Sequence, residues 1–231
     1  AGLAHEIRNP LTSVRGSIQE LSGEFGPNTT QRMLCDIVIK ESDRLDQIIT
    51  EFLQFARQRP MRLASVRFDV LLNEIRCLLS ARPDAANVLL DLSVAGDVCV
   101  RADVEQMREL CLNIGVNAIN AMDGSGRLTI AAAAIPLPKR GSVSDIERPM
   151  GVLVTFSDTG PGLHPGQEDL IFEPFYTTKP RGTGLGLAIA RKAVQSHDGD
   201  IWAENNPKGG GSTFSFWIPR NGPNATERRL T

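Results

Sequence analysis

Residues 152–162 read VLVTFSDTGPG, an apolar run that ends in a serine, an aspartate and a turn with two glycines. The run is too short for a helix and rich in β-formers, so it predicts a buried strand that delivers Asp158 to its end. A carboxylate there can accept a hydrogen bond from an exocyclic amine such as that of adenine. Gly160 and Gly162, lacking Cβ, let the backbone close around a base and ribose. An ordinary Asp-Gly turn has the same composition, so the neighbourhood has to decide.

Outward from this strand, helix-like stretches at 69–82 and 103–122 alternate with β-rich runs at 88–92, 98–100, 128–132, 200–203 and 213–218, the pattern of an α/β sandwich. A loop is marked by Pro136, Pro138, Gly141 and Pro149, and Gly209 to Gly211 reads as a hairpin turn. The first sixty residues differ. Leu3, Ile7, Leu11, Val14, Ile18, Leu21 and Phe25 step by three or four, and Leu34, Val38, Leu45, Ile48, Phe52 and Phe55 repeat the rhythm after an N-cap at Thr29-Thr30. These are two amphipathic helices joined by Gly26-Pro27-Asn28. A lone hairpin cannot cover its apolar seam, so pairing with a second copy into a four-helix bundle is predicted. The class is α+β, with a hairpin at 1–59, a sheet domain at 60–220 and a polar tail at 221–231.

With 231 residues, 41% hydrophobic and 23% charged, the chain has enough material for two cores. A formal net charge of −2 gives no footprint for nucleic acid, and no apolar run reaches the roughly 18 residues needed to cross a bilayer. No nucleic-acid or membrane contact is expected of this stretch, although it can belong to a larger, membrane-anchored protein. Cys35, Cys77, Cys99 and Cys111 stand singly among apolar neighbours, predicting reduced, buried thiols in a cytoplasmic protein.

Two polar constellations carry chemistry. On the first helix His5 is turned about 200° from Leu3 and so faces solvent, with Glu6 beside it and Arg8, Asn9 and Thr12 at hand. A neutral imidazole is a nucleophile near neutral pH, a carboxylate can take or orient its other N–H, and the Asn9 amide can position water. Pro10 removes the N–H that would meet the Glu6 carbonyl. A merely solvated helix face would look the same.

The second constellation is the stripe Asn113, Asn117 and Asn120, running beside the apolar stripe Val104, Met107, Cys111, Ile114, Ala118 and Ala121. Amide oxygens there suit Mg²⁺ shared with phosphate oxygens and water, with Asn117 and Asn113 as the metal candidates. Further on, a turn-rich stretch with Phe172, Phe175, Thr177, Thr178 and Lys179 has the makings of a lid. Gly182-Thr183-Gly184-Leu185-Gly186 then enters a helix at 187–196, whose N-terminus favours a polyphosphate. A dinucleotide fold is the rival, since Glu204 follows about 20 residues on. The spacing is GxGxG rather than GxGxxG, however, and Pro180-Arg181 stands where a buried strand is required.

HEIRNP (5–10), NIGVNA (113–118), DTGPG (158–162), FEPFYTTK (172–179) and GTGLGLA (182–188), in this order, resemble the boxes of two-component sensor histidine kinases over nearly the full chain. The flavour is nearest the nitrogen-regulation, acetoacetate-sensing and sporulation kinases. The resemblance implies a dimerisation and phosphotransfer hairpin followed by a Bergerat-type ATP-binding domain. By position, His5 would be phosphorylated, Glu6 would accept its proton and Asn9 would serve phosphatase activity. Asn117 would hold Mg²⁺ with Asn113 in support, Asp158 would read adenine, and Thr213 would lie near Asp158. ATP would be the phosphoryl donor and a response-regulator receiver aspartate the next acceptor. His197-Asp198-Gly199 departs from the His-Gly-Gly of many relatives. A dimeric scaffold that binds nucleotide without transferring phosphate, or an ATPase clamp of the chaperone or topoisomerase type, would share parts of this pattern. The intact His5, Glu6, Asn117 and Asp158, and the histidine hairpin, weigh against both.

Overall fold

A computed structural model describes residues 2–56, 60–137, 150–179, 182–207 and 210–223, and the backbone alone of residues 2–6 and 54. Pro138, Gly141, Pro149, Pro180, Arg181, Gly209 and the last eight residues of the tail lie outside this set. The chain divides into two units, Ala1–Gln58 with Thr177–Leu185, and Arg59–Tyr176 with Gly186–Thr231.

In the first unit α1 (Gly2–Gly23) and α2 (Thr30–Ala56) form the hairpin, with Pro10 inside α1. Thr29 caps α2 by accepting the Arg32 N–H on Oγ1 at 3.2 Å. Arg8 reaches across to Asp46 at 2.7 Å and to the Thr50 hydroxyl at 3.0 Å, and Arg15 reaches Asp43 at 2.7 Å. Arg8 thus bridges the two helices of the hairpin. Ion pairs this exposed contribute only about 0.5 kcal/mol each. The apolar seam is not covered within one chain: Val14, Leu34, Ile37, Leu45 and Phe52 are exposed, Leu34 to 57%.

The second unit is a mixed five-stranded sheet under three helices. It contains β1 (Leu63–Arg67), α3 (Phe68–Ser80), β2 (Asn87–Ala95), β3 (Cys99–Asp103), α4 (Val104–Ala121), β4 (Ser125–Pro136), β5 (Met150–Asp158), α5 (Gly186–Ser196), β6 (Asp200–Asn205) and β7 (Ser212–Pro219). The sheet order is β2-β4-β5-β7-β6, with β2 and β4 parallel and the other pairs antiparallel, while β1 and β3 form a separate ribbon. Strand β1 has only five residues, and of its three inner positions Ala64 and Ser65 face solvent while Val66 is buried, so it carries no legible alternation. The core joins Leu72, Ile75 and Leu79 of α3 and Met107, Leu110 and Ile114 of α4 to Ile130, Val154, Phe156 and Phe216 of the sheet.

Two expectations change here. Cys35 and Cys111 are buried, but Cys77 is exposed and Cys99 partly so, and all four are free. Cys77 sits on the solvent side of α3, while Cys99 lies on the β1–β3 ribbon with its sulfur 3.0 Å from the Ser65 hydroxyl. Burial pushes the Cys111 thiol well up from its ordinary value. The stretch read as too polar for a core also contributes Phe172, buried in a short 3₁₀ turn and edge-on to Phe214 at 6.3 Å between ring centres.

The His197 turn works with an aspartate in it. Asp198 takes a left-handed φ of 55°, while the Gly199 N–H returns to the Val194 carbonyl at 3.0 Å, closing the end of α5. Fully buried His197 accepts the Asp103 N–H on Nε2 at 2.9 Å, and its Nδ1 lies 2.8 Å from the Ala193 carbonyl. That pair of partners fixes the neutral tautomer with hydrogen on Nδ1. Asp103 in turn caps α4, accepting from the N–H groups of Glu105 and Gln106 at 3.1 Å and of Arg62 at 2.8 Å.

Candidate functional site

On β5, Val152, Val154 and Phe156 are buried at alternate positions, and Asp158 continues that parity at the strand end. Its carboxylate is 1% exposed. Burial of this kind needs donors, and they are present: Oδ2 accepts the Ser212 hydroxyl at 2.8 Å, and Oδ1 accepts the N–H groups of Gly160 at 2.8 Å and Ser212 at 3.2 Å. Thr213 does not serve Asp158. Its hydroxyl meets the Ser157 oxygen at 2.9 Å and the Asn206 amide oxygen at 2.6 Å. The register places Thr213 opposite Ser157, so the neighbour of Asp158 across the strands is Ser212.

The glycines here make room for protein. A Cβ on Gly162, where φ is +82°, would stand 2.6 Å from Asn205 Oδ1 and 3.1 Å from the Gly211 carbonyl oxygen. Gly211, at φ +89°, would bring a Cβ within 1.9 Å of the Asp158 carbonyl oxygen. Gly160 is likewise close to protein, a Cβ there lying 3.3 Å from the Ala121 carbonyl oxygen.

On α4 the asparagine stripe forms as expected, with Asn113 and Asn117 half-buried and Asn120 exposed. The Asn113 amide nitrogen is buried and has no hydrogen-bond partner among the described residues. Its other amide atom faces the start of α5, where a Cβ on Gly186 would lie 3.6 Å away. A buried N–H₂ without an acceptor, beside a helix N-terminus, matches a phosphate oxygen. No group of three or more His, Cys, Asp or Glu side chains among the described residues could cage a metal. A Mg²⁺ ion would therefore arrive with phosphate oxygens and draw on the amide oxygens of Asn117 and Asn113, a donor set that fits a hard cation.

Of the remaining residues, Phe175 has φ 67° and is 59% exposed, and Thr178 is exposed. Residues Thr177–Leu185 group with the hairpin, where the Thr183 hydroxyl donates to the Glu51 carboxylate of α2. The Gly182 N–H donates to the Lys179 carbonyl at 3.1 Å, Gly184 has φ +69°, and buried Leu185 donates its N–H to Thr183 Oγ1 at 3.3 Å, just before α5 begins at Gly186. Desolvation lowers the Lys179 pKa from its ordinary value. On α1, Asn9 is exposed, and the side chains of His5 and Glu6 lie outside the described set.

Two residues with clear roles carried no motif signal. Asn205 ends β6, Asn206 follows it, and the two bind the segments at either end of the DTGPG turn. An open cleft of about 1040 Å³ lies elsewhere, lined by Arg67, Asp97, Cys99, Arg101 and Arg220 among others. Its charges are largely met by the Arg67–Asp69 and Arg220–Asp97 pairs.

Residues 102–222, more than half of the chain, match the family model described as histidine kinase-, DNA gyrase B-, and HSP90-like ATPase. The chain belongs to this ATPase family. Residues 1–60 match the His kinase A phospho-acceptor domain, so both parts of the family's kinase branch are present in order. Sensor histidine kinase ZraS of Escherichia coli (strain K12) is 32% identical over 223 residues, covering 96% of this chain and 45% of its own length. Sporulation kinase E of Bacillus subtilis (strain 168) is 32% identical over 230 residues, covering 99% of this chain and 29% of its own. The chain thus spans less than half the length of these relatives. Among solved structures, full-length ShkA in complex with AMPPNP matches with a TM-score of 0.71 and 28% identity over 97% of this chain and 46% of ShkA. Histidine kinase ThkA in complex with response regulator protein TrrA matches with a TM-score of 0.68 and 28% identity over 96% and 60%.

Proposed function

We propose that this protein histidine kinase binds ATP in the sheet domain, transfers the γ-phosphoryl to His5, and passes it from there to an aspartate of a response regulator. The observation that carries the nucleotide half is the pairing of buried Asp158, whose Oδ2 accepts one hydrogen bond from Ser212, with the Asn113 amide nitrogen beside the start of α5, which has no partner among the described residues. The first matches an adenine amine and the second a phosphate. Mg²⁺, held by Asn117 and Asn113 with phosphate oxygens, supplies charge neutralisation on the polyphosphate.

The protein's own share is positioning. Asp158, pinned by Ser212 and Gly160, orients the base without reorganisation, and the N-terminus of α5 favours the negative end of the nucleotide. Glu6, next to His5 in the sequence, takes the proton that the imidazole gives up, and Asn9, exposed on the same helix, orients water when the phosphorylated regulator is hydrolysed. The AMPPNP bound to ShkA and the regulator bound to ThkA support both partners. The exposed apolar seam of the hairpin supports a homodimer.

Incubation with γ-³²P-ATP and Mg²⁺ tests this reading. Acid-labile, base-stable label is expected on the wild type and none on His5→Gln, with ADP binding equal in the two; label persisting on His5→Gln removes the assignment. Asn117→Ala should retain less than about 1% of the labelling rate, in line with losing an electrostatic contact to a transferring phosphoryl. An unchanged rate takes Asn117 out of the site.

A further inference from the structure

Between Asp158 and Leu163 the chain leaves β5 through Thr159-Gly160-Pro161-Gly162 with no regular structure of its own. Something else must fix its path, because Pro161 has no N–H and Gly162 sits at a positive φ of 82°. The ends of the run are held by two consecutive residues where β6 runs out. Asn206 donates from Nδ2 to the Asp158 carbonyl at 2.8 Å and to the Gly210 carbonyl at 3.3 Å, and its Oδ1 accepts from Thr213 at 2.6 Å. Asn205 takes the other end with both amide atoms. Its Oδ1 accepts the Leu163 N–H at 2.6 Å and its Nδ2 donates to the Leu163 carbonyl at 2.8 Å, so one side chain imitates a neighbouring strand.

We propose that Asn205 is a positioning residue for the nucleotide, holding the turn after Asp158 at the width the base requires; this rests on the reading of Asp158 as the adenine contact. Asn205 acts through the backbone, since both of its amide atoms are on Leu163. The arrangement also explains Gly162: any Cβ there would strike Asn205 Oδ1 at 2.6 Å, so the second glycine of the turn and the clamp require each other. Leu163 is seated at the same time by its own side chain against the core, so releasing Asn205 widens the turn without unfolding the domain. The side chain of Ser, Thr or Ala at this position could not make both bonds.

The test uses the full chain, measuring ADP affinity by calorimetry and KM and kcat for ATP in autophosphorylation, at least 20 °C below each melting midpoint. Asn205→Asp keeps an acceptor for the Leu163 N–H and loses the donor to its carbonyl; Asn205→Ala loses both. Loss of both hydrogen bonds predicts ADP dissociation constants raised roughly tenfold for Ala, and less for Asp. KM for ATP should follow, with kcat within about twofold of wild type. ADP affinity of a cooperatively melting Asn205→Ala protein within twofold of wild type overturns the clamp, as does a fall in kcat at unchanged KM. Should Asn205→Ala not fold, the same limits apply to Asn205→Asp. A wild type that binds no ADP overturns the nucleotide reading itself, and the clamp with it.

Discussion

The hairpin and the sheet domain solve the burial problem in different ways. In the sheet domain Leu72, Ile75, Ile114, Val154, Phe156 and Phe216 are wholly sequestered within one chain. In the hairpin large apolar side chains such as Met33, Leu34, Ile37 and Phe52 are exposed, and across the two helices Arg8–Asp46 and Arg15–Asp43 are pairs that water screens. One region is held by its own interior. The other has a face prepared for something it does not contain. That division suits the proposed kinase, because a stable nucleotide site and a phospho-acceptor helix that meets partners place opposite demands on packing.

The contrast can be broken at either end. Ile114→Ala empties a fully buried site on α4 and should destabilise the sheet domain by about 3 kcal/mol, read as a lower urea midpoint with unchanged slope. A loss below about 1 kcal/mol would mean that the core is looser than described. Leu34→Asp places a charge on the exposed seam of α2 and should convert a dimer to a monomer at micromolar concentration, by light scattering, while ADP affinity stays within twofold. A variant that remains dimeric moves the interface off this face. The smallest effect is expected at Asp198, whose left-handed φ of 55° suits glycine. Asp198→Gly should gain about 1 kcal/mol, a rise of roughly 2–4 °C in melting midpoint, and no gain would show that the aspartate is otherwise compensated.

The hairpin was legible because helix periodicity needs only a local pattern, and α1 and α2 fall where the apolar steps and the Thr29 cap put them. The elements from 69 onward were legible for the same reason, whereas the short β1 before them, with Ala64 and Ser65 both exposed, shows no alternation. The site was legible as a set of boxes, since glycines, asparagines and a strand-end aspartate announce themselves. Its wiring was not. Thr213, expected near Asp158, stands opposite Ser157, and the side chain that reaches the carboxylate is that of Ser212, because in a strand one residue reverses the face.

By itself the sequence determined the period of each helix, the strand that carries Asp158, the order of the motifs and the family they spell. These depend on neighbours within a few positions, which chain chemistry sets directly. Only the tertiary structure decided that Ser212 holds Asp158, that Asn205 and Asn206 brace the turn, that Gly162 and Gly211 yield to protein, and that His197 is a buried tie between α5 and β3. Each of those joins groups more than 40 positions apart in the chain, which no local pattern brings together.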